Sequence, residues 1–291
     1  MSFSVAKLYR YPVKALSAEA LTAADLKPGC GIRFDRAFGL ALSTTQYDPT
    51  EPQWLPKRNF VTLIAHERLA ALHARYDENT GILTVHRGGK PVARGAMATP
   101  IGRAMLEEFF RAYLKGEVAA TPKLIGSASG ATFFDHPEPA LSLIGLSTVT
   151  DIERFVGRPV DPLRFRANVY LSGVPPWAEL DWIGKEISIG AARLSVTERI
   201  ARCAATNVDP TTGIRDMTIP RDLQRVFGHT DCGVLAVVTK AGEVAFQRHP
   251  CPHLKPLRMA GGRSSLPPPA RRPPGTRFPG KPPPSPGSEA G

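Results

Sequence analysis

The chain has 291 residues, 42% of them apolar, enough to bury one large domain or two small lobes that share a core. Its four cysteines (Cys30, Cys203, Cys232, Cys251) include no C-x-x-C pair and are too sparse for a disulfide scaffold; no apolar run reaches eighteen residues and MSFSVAKLYRYPVK lacks a basic n-region followed by an apolar h-region, so neither membrane spans nor secretion is expected and a cytoplasmic protein is. The net charge of +11 is uneven: from residue 247 onward eight Lys/Arg face Glu289 alone, which leaves only +4 for residues 1–246 and argues against a nucleic-acid-binding body.

In chain order, SVAKLYRYPV opens as a strand, and ALHARYDENTGILTVHRGG reads as a hairpin around Asn79-Thr80-Gly81. Residues 100–114 carry Ile101, Met105, Leu106, Phe109, Phe110 and Tyr113 at helical spacing. A second helix is expected over 148–156, with Thr148 and Asp151 as a capping box and Gly157 as its stop. In PLRFRANVYLSG, strand alternation puts Arg164, Arg166 and Asn168 on one face and Phe165, Ala167 and Val169 on the other. WIGKEISIGAARLSVTERIARC reads as two strands turning near Gly190, and Thr218, Pro220 and Gly228 bracket a third helix over 219–227. The prevailing period is two, so the fold class is mainly β with a few α-helices (α+β). LPPPARRPPGTRFPGKPPPSPGSEAG has little to bury and is expected to be a disordered Pro/Arg-rich tail. No Walker loop, G-x-G-x-x-G or H-E-x-x-H occurs.

The stretch RIARCAATNVDPTTGIRD sets a cysteine at a strand end. Alternation from Ala192 places Arg193, Ser195, Thr197, Arg199, Ala201 and Cys203 on one face, opposite Ala192, Leu194, Val196 and Ile200. Cys203 thus leaves the polar face beside Arg199 and Arg202, where positive charge favours a thiolate. Spacing alone leaves two readings open: a small core hydrophobe, or a nucleophile or metal ligand. Asn207, Asp209, Pro210 and Gly213 supply turn chemistry after it. Cys232 reads as a core thiol, with a disulfide to Cys203 as the alternative. His249-Pro-Cys-Pro-His253 has the look of a metal clip, but in a proline-broken tail its spacing reads as accidental.

YPVKAL, RFDRAFGL, GRPVDPLRFRANVYLSG and RCAATNVDPTTG, in this order, resemble the successive signatures of the MOSC family, the molybdenum cofactor sulfurase C-terminal domain proteins, over residues 3–246. The likeness is to its YcbX-like and amidoxime-reducing members. It implies an N-terminal MOSC-associated β-barrel lobe over 1–120, a MOSC β-barrel domain over 121–246 and a cofactor site between them, with 247–291 as the tail. The implied cofactor is the molybdenum cofactor (Mo-molybdopterin), with Cys203 as the catalytic residue and metal ligand, a soft thiolate suiting molybdenum. Lys14, Arg36, Arg166, Asn168 and Arg202 match cofactor-binding positions, the cations suiting the pterin's phosphate; Arg58, Arg164 and Asp135 are weaker matches.

The resemblance further implies a molybdenum-dependent oxidoreductase that reduces small N-hydroxylated compounds. Its electrons would come from a separate flavoprotein or ferredoxin-type donor, because no C-x4-C-x2-C segment is present. The alternative is a non-catalytic carrier of the cofactor or its sulfur. Pyridoxal phosphate binding, also associated with the family, is not expected in a sequence without an aminotransferase-like segment. Two departures stand out. Ala15 replaces a serine common in the family, and strand pattern ceases after Phe246, which suggests a truncation or change of reading frame that leaves a barrel edge unpaired.

Overall fold

The computed structural model describes residues 3–126 and 132–246. The Pro/Arg-rich tail and the His249-Cys251-His253 clip lie outside them. Among the described residues, strands dominate and three α-helices join them: α1 (Pro100–Tyr113), α2 (Leu146–Val156) and α3 (Ile219–Phe227). The class is α+β.

The largest sheet has seven strands in the spatial order Glu186–Ile189, Ala192–Ala201, Asp231–Lys240, Leu141–Gly145, Val169–Ser172, Ser4–Arg10 and Glu19–Leu21. Its neighbours are antiparallel except Leu141–Gly145 with Val169–Ser172, a parallel pair joined through α2, as a parallel connection requires. Leu141–Gly145 is buried at every residue, Ser142 included, whose hydroxyl is satisfied by Asn168 Oδ1. Three smaller sheets complete the body: Gly242–Ala245 with Ala23–Lys27 and Gly31–Ile32, Phe38–Ala41 with Lys123–Gly126, and the meander Leu72–Asp77, Ile82–Arg87, Lys90–Ala96.

Core membership does not follow chain order. Leu16, Phe38, Leu83, Leu106 and Phe110 fill one apolar cluster, whereas Leu8 and Leu26 pack with Leu143, Leu171 and Val234 in another. Residues 11–16 therefore leave the large sheet and cross directly into the other core. That crossing carries YPVKAL to the seam between the clusters.

Three local expectations need correction. The 148–156 helix begins at Leu146, and Thr148 is not its cap; the buried Glu179 carboxylate caps it from a distant turn, accepting from Gly145 N (3.1 Å) and Thr148 Oγ1 (3.0 Å). A Cβ at Gly145 would lie 3.2 Å from Glu179 Oε2, a tight contact from which the carboxylate would have to shift slightly. Second, Pro162–Phe165 is a 3-10 turn capped by Asp161, whose Oδ1 accepts from Leu163 N at 2.8 Å, and the strand starts only at Val169. Arg166 ends the turn at φ 53°, so strand alternation does not set the directions of Arg164 and Arg166, although both line one cavity. Third, bulges between Val196/Glu198 and Arg199/Ala201 break the alternation before Cys203. In α1, Leu106 and Phe110 are buried, but Ile101 and Met105 face outward at 76% and 60% exposure. No helix among the described residues is long and apolar enough to cross a membrane.

Candidate functional site

A cavity of about 510 Å³ lies at the seam, and Lys14, Arg36, Arg166, Asn168, Arg202 and Cys203 all line it. Residues separated by up to 189 positions thus meet in one place. Each arrives with a different degree of freedom.

The cationic wall is organised by a carboxylate that the sequence disguised. Asp35 beside Arg36 looks like half of a surface pair, but it is 1% exposed. Its Oδ1 accepts from Tyr11 N (2.7 Å), and its Oδ2 accepts from Arg36 Nη1 (2.5 Å) and Asn168 Nδ2 (2.8 Å). Arg36 also donates to Asn168 Oδ1 (3.2 Å) and Arg166 O (3.0 Å), while Arg166 donates to Leu16 O (2.6 Å). The two guanidinium groups stand 4.3 and 4.4 Å from the Tyr11 ring centroid, each in cation–π range. Ala15, Arg36 and Arg166 all hold left-handed backbone conformations, φ 70°, 54° and 53°, a strain that clusters where side chains must be aimed.

Desolvation governs the titration of this wall. Burial pushes the Tyr11 phenol up to about 12, against the pull of both arginines, and lowers Arg166 to about 10, with Arg36 adding to the fall. Lys14 is lowered by burial, which Asp135 partly offsets. Lys14 Nζ donates to Phe133 O (2.8 Å) and to Asp135 Oδ1 (2.5 Å). Asn168 has both ends of its amide engaged: Oδ1 accepts from Ser142 N (3.1 Å) and Oγ (3.0 Å), and Nδ2 also donates to Tyr9 O (3.2 Å). It therefore acts as a strut behind Arg36.

Opposite, Cys203 follows the strand Ala192–Ala201 and precedes the 3-10 turn Ala204–Asn207. It is exposed and free, with its side chain capping nothing. Its flanks are held firmly. Arg202 N donates to Thr230 O (2.9 Å), and its guanidinium donates to Cys232 O (2.7 Å) and Phe165 O (2.8 Å). Arg202 Nη2 is buried with no hydrogen-bond partner among the described residues, and Gly233 is close enough that a Cβ there would lie 3.1 Å away. This guanidinium fixes backbone around Cys203. Arg164, 2% exposed, pins the following turn through Asp216 (2.8 Å), Asp209 (3.0 Å) and Asn207 O (3.2 Å). Cys232 is a free core thiol pushed by burial up to about 12, so no disulfide joins it to Cys203.

Asp135 also lines the cavity, whereas Arg58 sits exposed on the turn Lys57–Asn59 and it is Lys57 that reaches the wall. Sequence reasoning missed Asp35, Tyr11, Lys57 and Asp216. Only Asp35 left a trace, in RFDR. The site combines an exposed thiol with a wall of cations, suited to a ligand carrying a soft metal at one end and an anion at the other.

Comparison with known proteins identifies the family. The MOSC N-terminal beta barrel domain profile matches residues 2–120 and the MOSC domain profile residues 130–248. Mitochondrial amidoxime-reducing component 1 of Xenopus laevis is 32% identical over 106 residues, 35% of this chain and 30% of the relative. The Mus musculus protein of the same name is 27% identical over 111 residues, 38% of this chain and 32% of the relative. The match thus spans about a third of the length of these relatives. Among solved structures, the YUAD protein from Bacillus subtilis aligns over 84% of this chain and 92% of its own, with a TM-score of 0.38 and 14% identity. YiiM from Geobacillus stearothermophilus aligns over 36% and 50%, with a TM-score of 0.29 and 18% identity. The chain belongs to the MOSC family, a molybdenum-cofactor-related family.

Proposed function

We propose that the cavity holds the molybdenum cofactor and that the protein, in a reducing cytoplasm, reduces small N-hydroxylated compounds with electrons from a separate flavoprotein or ferredoxin-type donor. One observation carries the reading: the exposed Cys203 thiol and the cations Lys14, Arg36 and Arg166 line the same 510 Å³ space. The donor set fits the group, because a thiolate matches a soft metal and guanidinium and ammonium groups match a phosphate. The relatives named for amidoxime reduction support the substrate class, since an amidoxime carries an N–OH group.

When bound, the cofactor supplies two-electron redox chemistry. The chain's own residues do the rest. Lys14, Arg36 and Arg166 hold the phosphate end, Cys203 Sγ ligates the metal, and Arg202 fixes the backbone from which that sulfur projects. Leu63, Ile64, Phe134 and Ile200 offer apolar wall for the body of a substrate. His136 and Glu198, whose Nε2 and Oε1 stand 3.6 Å apart, add polar groups to the same cavity.

The test is turnover. Protein made in a cofactor-competent host, given a chemical reductant and a hydroxylamino compound, is expected to form the amine, and Cys203→Ala to lose that activity. A loaded parent that turns over nothing would favour the carrier reading.

A further inference from the structure

Lys14 and Asp135 form an ion pair of very unequal partners. The lysine side chain is 9% exposed and the aspartate side chain 73%. Both line the cavity. The carboxylate therefore stands on the cavity side of the ammonium, across the approach that a ligand would take. Burial works against its charge, but Lys14 and Arg36, both assigned to the phosphate, together with Lys57 outweigh it and hold the carboxyl below the usual carboxylate range.

The loop that carries Asp135 is anchored just before it. Phe133 N donates to Arg36 O (2.8 Å), Lys14 Nζ to Phe133 O (2.8 Å) and Trp54 Nε1 to Phe134 O (2.9 Å). The backbone is pinned while the Asp135 side chain is open to the cavity, so a change of rotamer suffices to free the ammonium.

We propose that Asp135 is a resident counter-anion that occupies the phosphate site of the ligand-free protein, and that a phosphomonoester displaces it to reach Lys14, Arg36 and Lys57. This rests on the cofactor reading above and adds two things to it: Lys57 as a fourth phosphate-binding cation and Asp135 as the group that must move. It also answers a physical problem. A buried ammonium with no anion nearby is costly, and a built-in carboxylate keeps it charged until the ligand arrives. The same pairing sets a threshold, since a weak anion cannot displace an intramolecular carboxylate whereas a dianionic phosphate with further contacts can.

The experiment is calorimetric titration of inorganic phosphate into the full chain prepared without cofactor. Asp135→Asn is expected to bind phosphate roughly tenfold more tightly than the parent at neutral pH, the competing charge being gone. Asp135→Glu, which keeps the charge, is expected to stay near the parent. Adding Lys14→Gln or Lys57→Gln to Asp135→Asn is expected to remove the gain. Equal phosphate affinity in parent and Asp135→Asn would overturn the proposal, as would equal tightening by Asn and Glu, because the effect would then be one of shape. Should Asp135→Asn fold poorly, Asp135→Ser takes its place with the same expectations. Failure here leaves the cofactor reading standing if the parent still takes up molybdenum in a competent host; a parent that binds phosphate through Lys14 yet never takes up the metal separates the two in the other direction.

Discussion

The two walls of the cavity are built by opposite strategies. On the cationic side the two arginines are tied down: Asp35 gathers Tyr11, Arg36 and Asn168, Arg36 and Arg166 flank one tyrosine ring, and three residues accept left-handed backbone to keep their aim. On the sulfur side the backbone is clamped by Arg202 and Arg164 on either flank, but the Cys203 side chain itself is exposed and caps nothing. A cradle for a charged group must be assembled in advance, because moving cations into place during binding would cost solvation and entropy. A ligating sulfur needs only a fixed origin and an open direction.

The comparison breaks most visibly at Asp35. Asp35→Ala removes the buried anion from Arg36 and leaves Tyr11 N and Asn168 Nδ2 without an acceptor; it is expected to lose about 3–5 kcal/mol in denaturant unfolding. A loss below about 1 kcal/mol would mean that the cradle is held by something else. The clamp on the sulfur side comes next. Arg164→Met strands Asp209 and Asp216, which are partly solvated, so a smaller loss of about 1–3 kcal/mol is expected.

Glu179 sharpens the comparison further, since it caps α2 and its charge faces that of Arg202. Glu179→Ala is expected to cost about 1–2 kcal/mol. Its pH dependence has a definite sign. Burial raises the folded-state pKa above the ordinary value, outweighing its hydrogen bonds and Arg202, so its contribution is fully present below the usual glutamate range and fades as pH climbs through the raised value. Chemical unfolding from pH 4 upward is expected to show parent stability falling relative to Glu179→Gln, which does not titrate. A parent that gains stability over the same interval would refute the assignment. The smallest effect belongs to the thiol: Cys203→Ala is expected to stay within about 0.5 kcal/mol of the parent, because the side chain is exposed.

What could be read in advance follows from how local each signal is. Gly157 and Gly228 end α2 and α3 as expected, since a C-terminal stop is written in adjacent residues. The start of α2 was not legible, because its cap, Glu179, lies 34 residues after Gly145 and no local pattern records it. The alternation in RFRANVYLSG hid a turn that Asp161-Pro162 does announce, and the two local signals competed. Arg164 does line the cavity with Arg166 and Asn168, but as part of that turn, and it also locks the turn after Cys203. Asp35 was hidden for the same reason as Glu179: its partners Tyr11 and Asn168 are 24 and 133 positions away. For Cys203 the local pattern left a core thiol and a ligand both open; the resemblance of RCAATNVDPTTG singled it out, and the structure shows it exposed.

The most direct test of the account is X-ray absorption at the molybdenum edge on the parent and Cys203→Ala, both made in a cofactor-competent host. The account predicts molybdenum in the parent with one more sulfur neighbour than in the variant. A folded parent that carries no molybdenum, or the same sulfur count in both proteins, would contradict it.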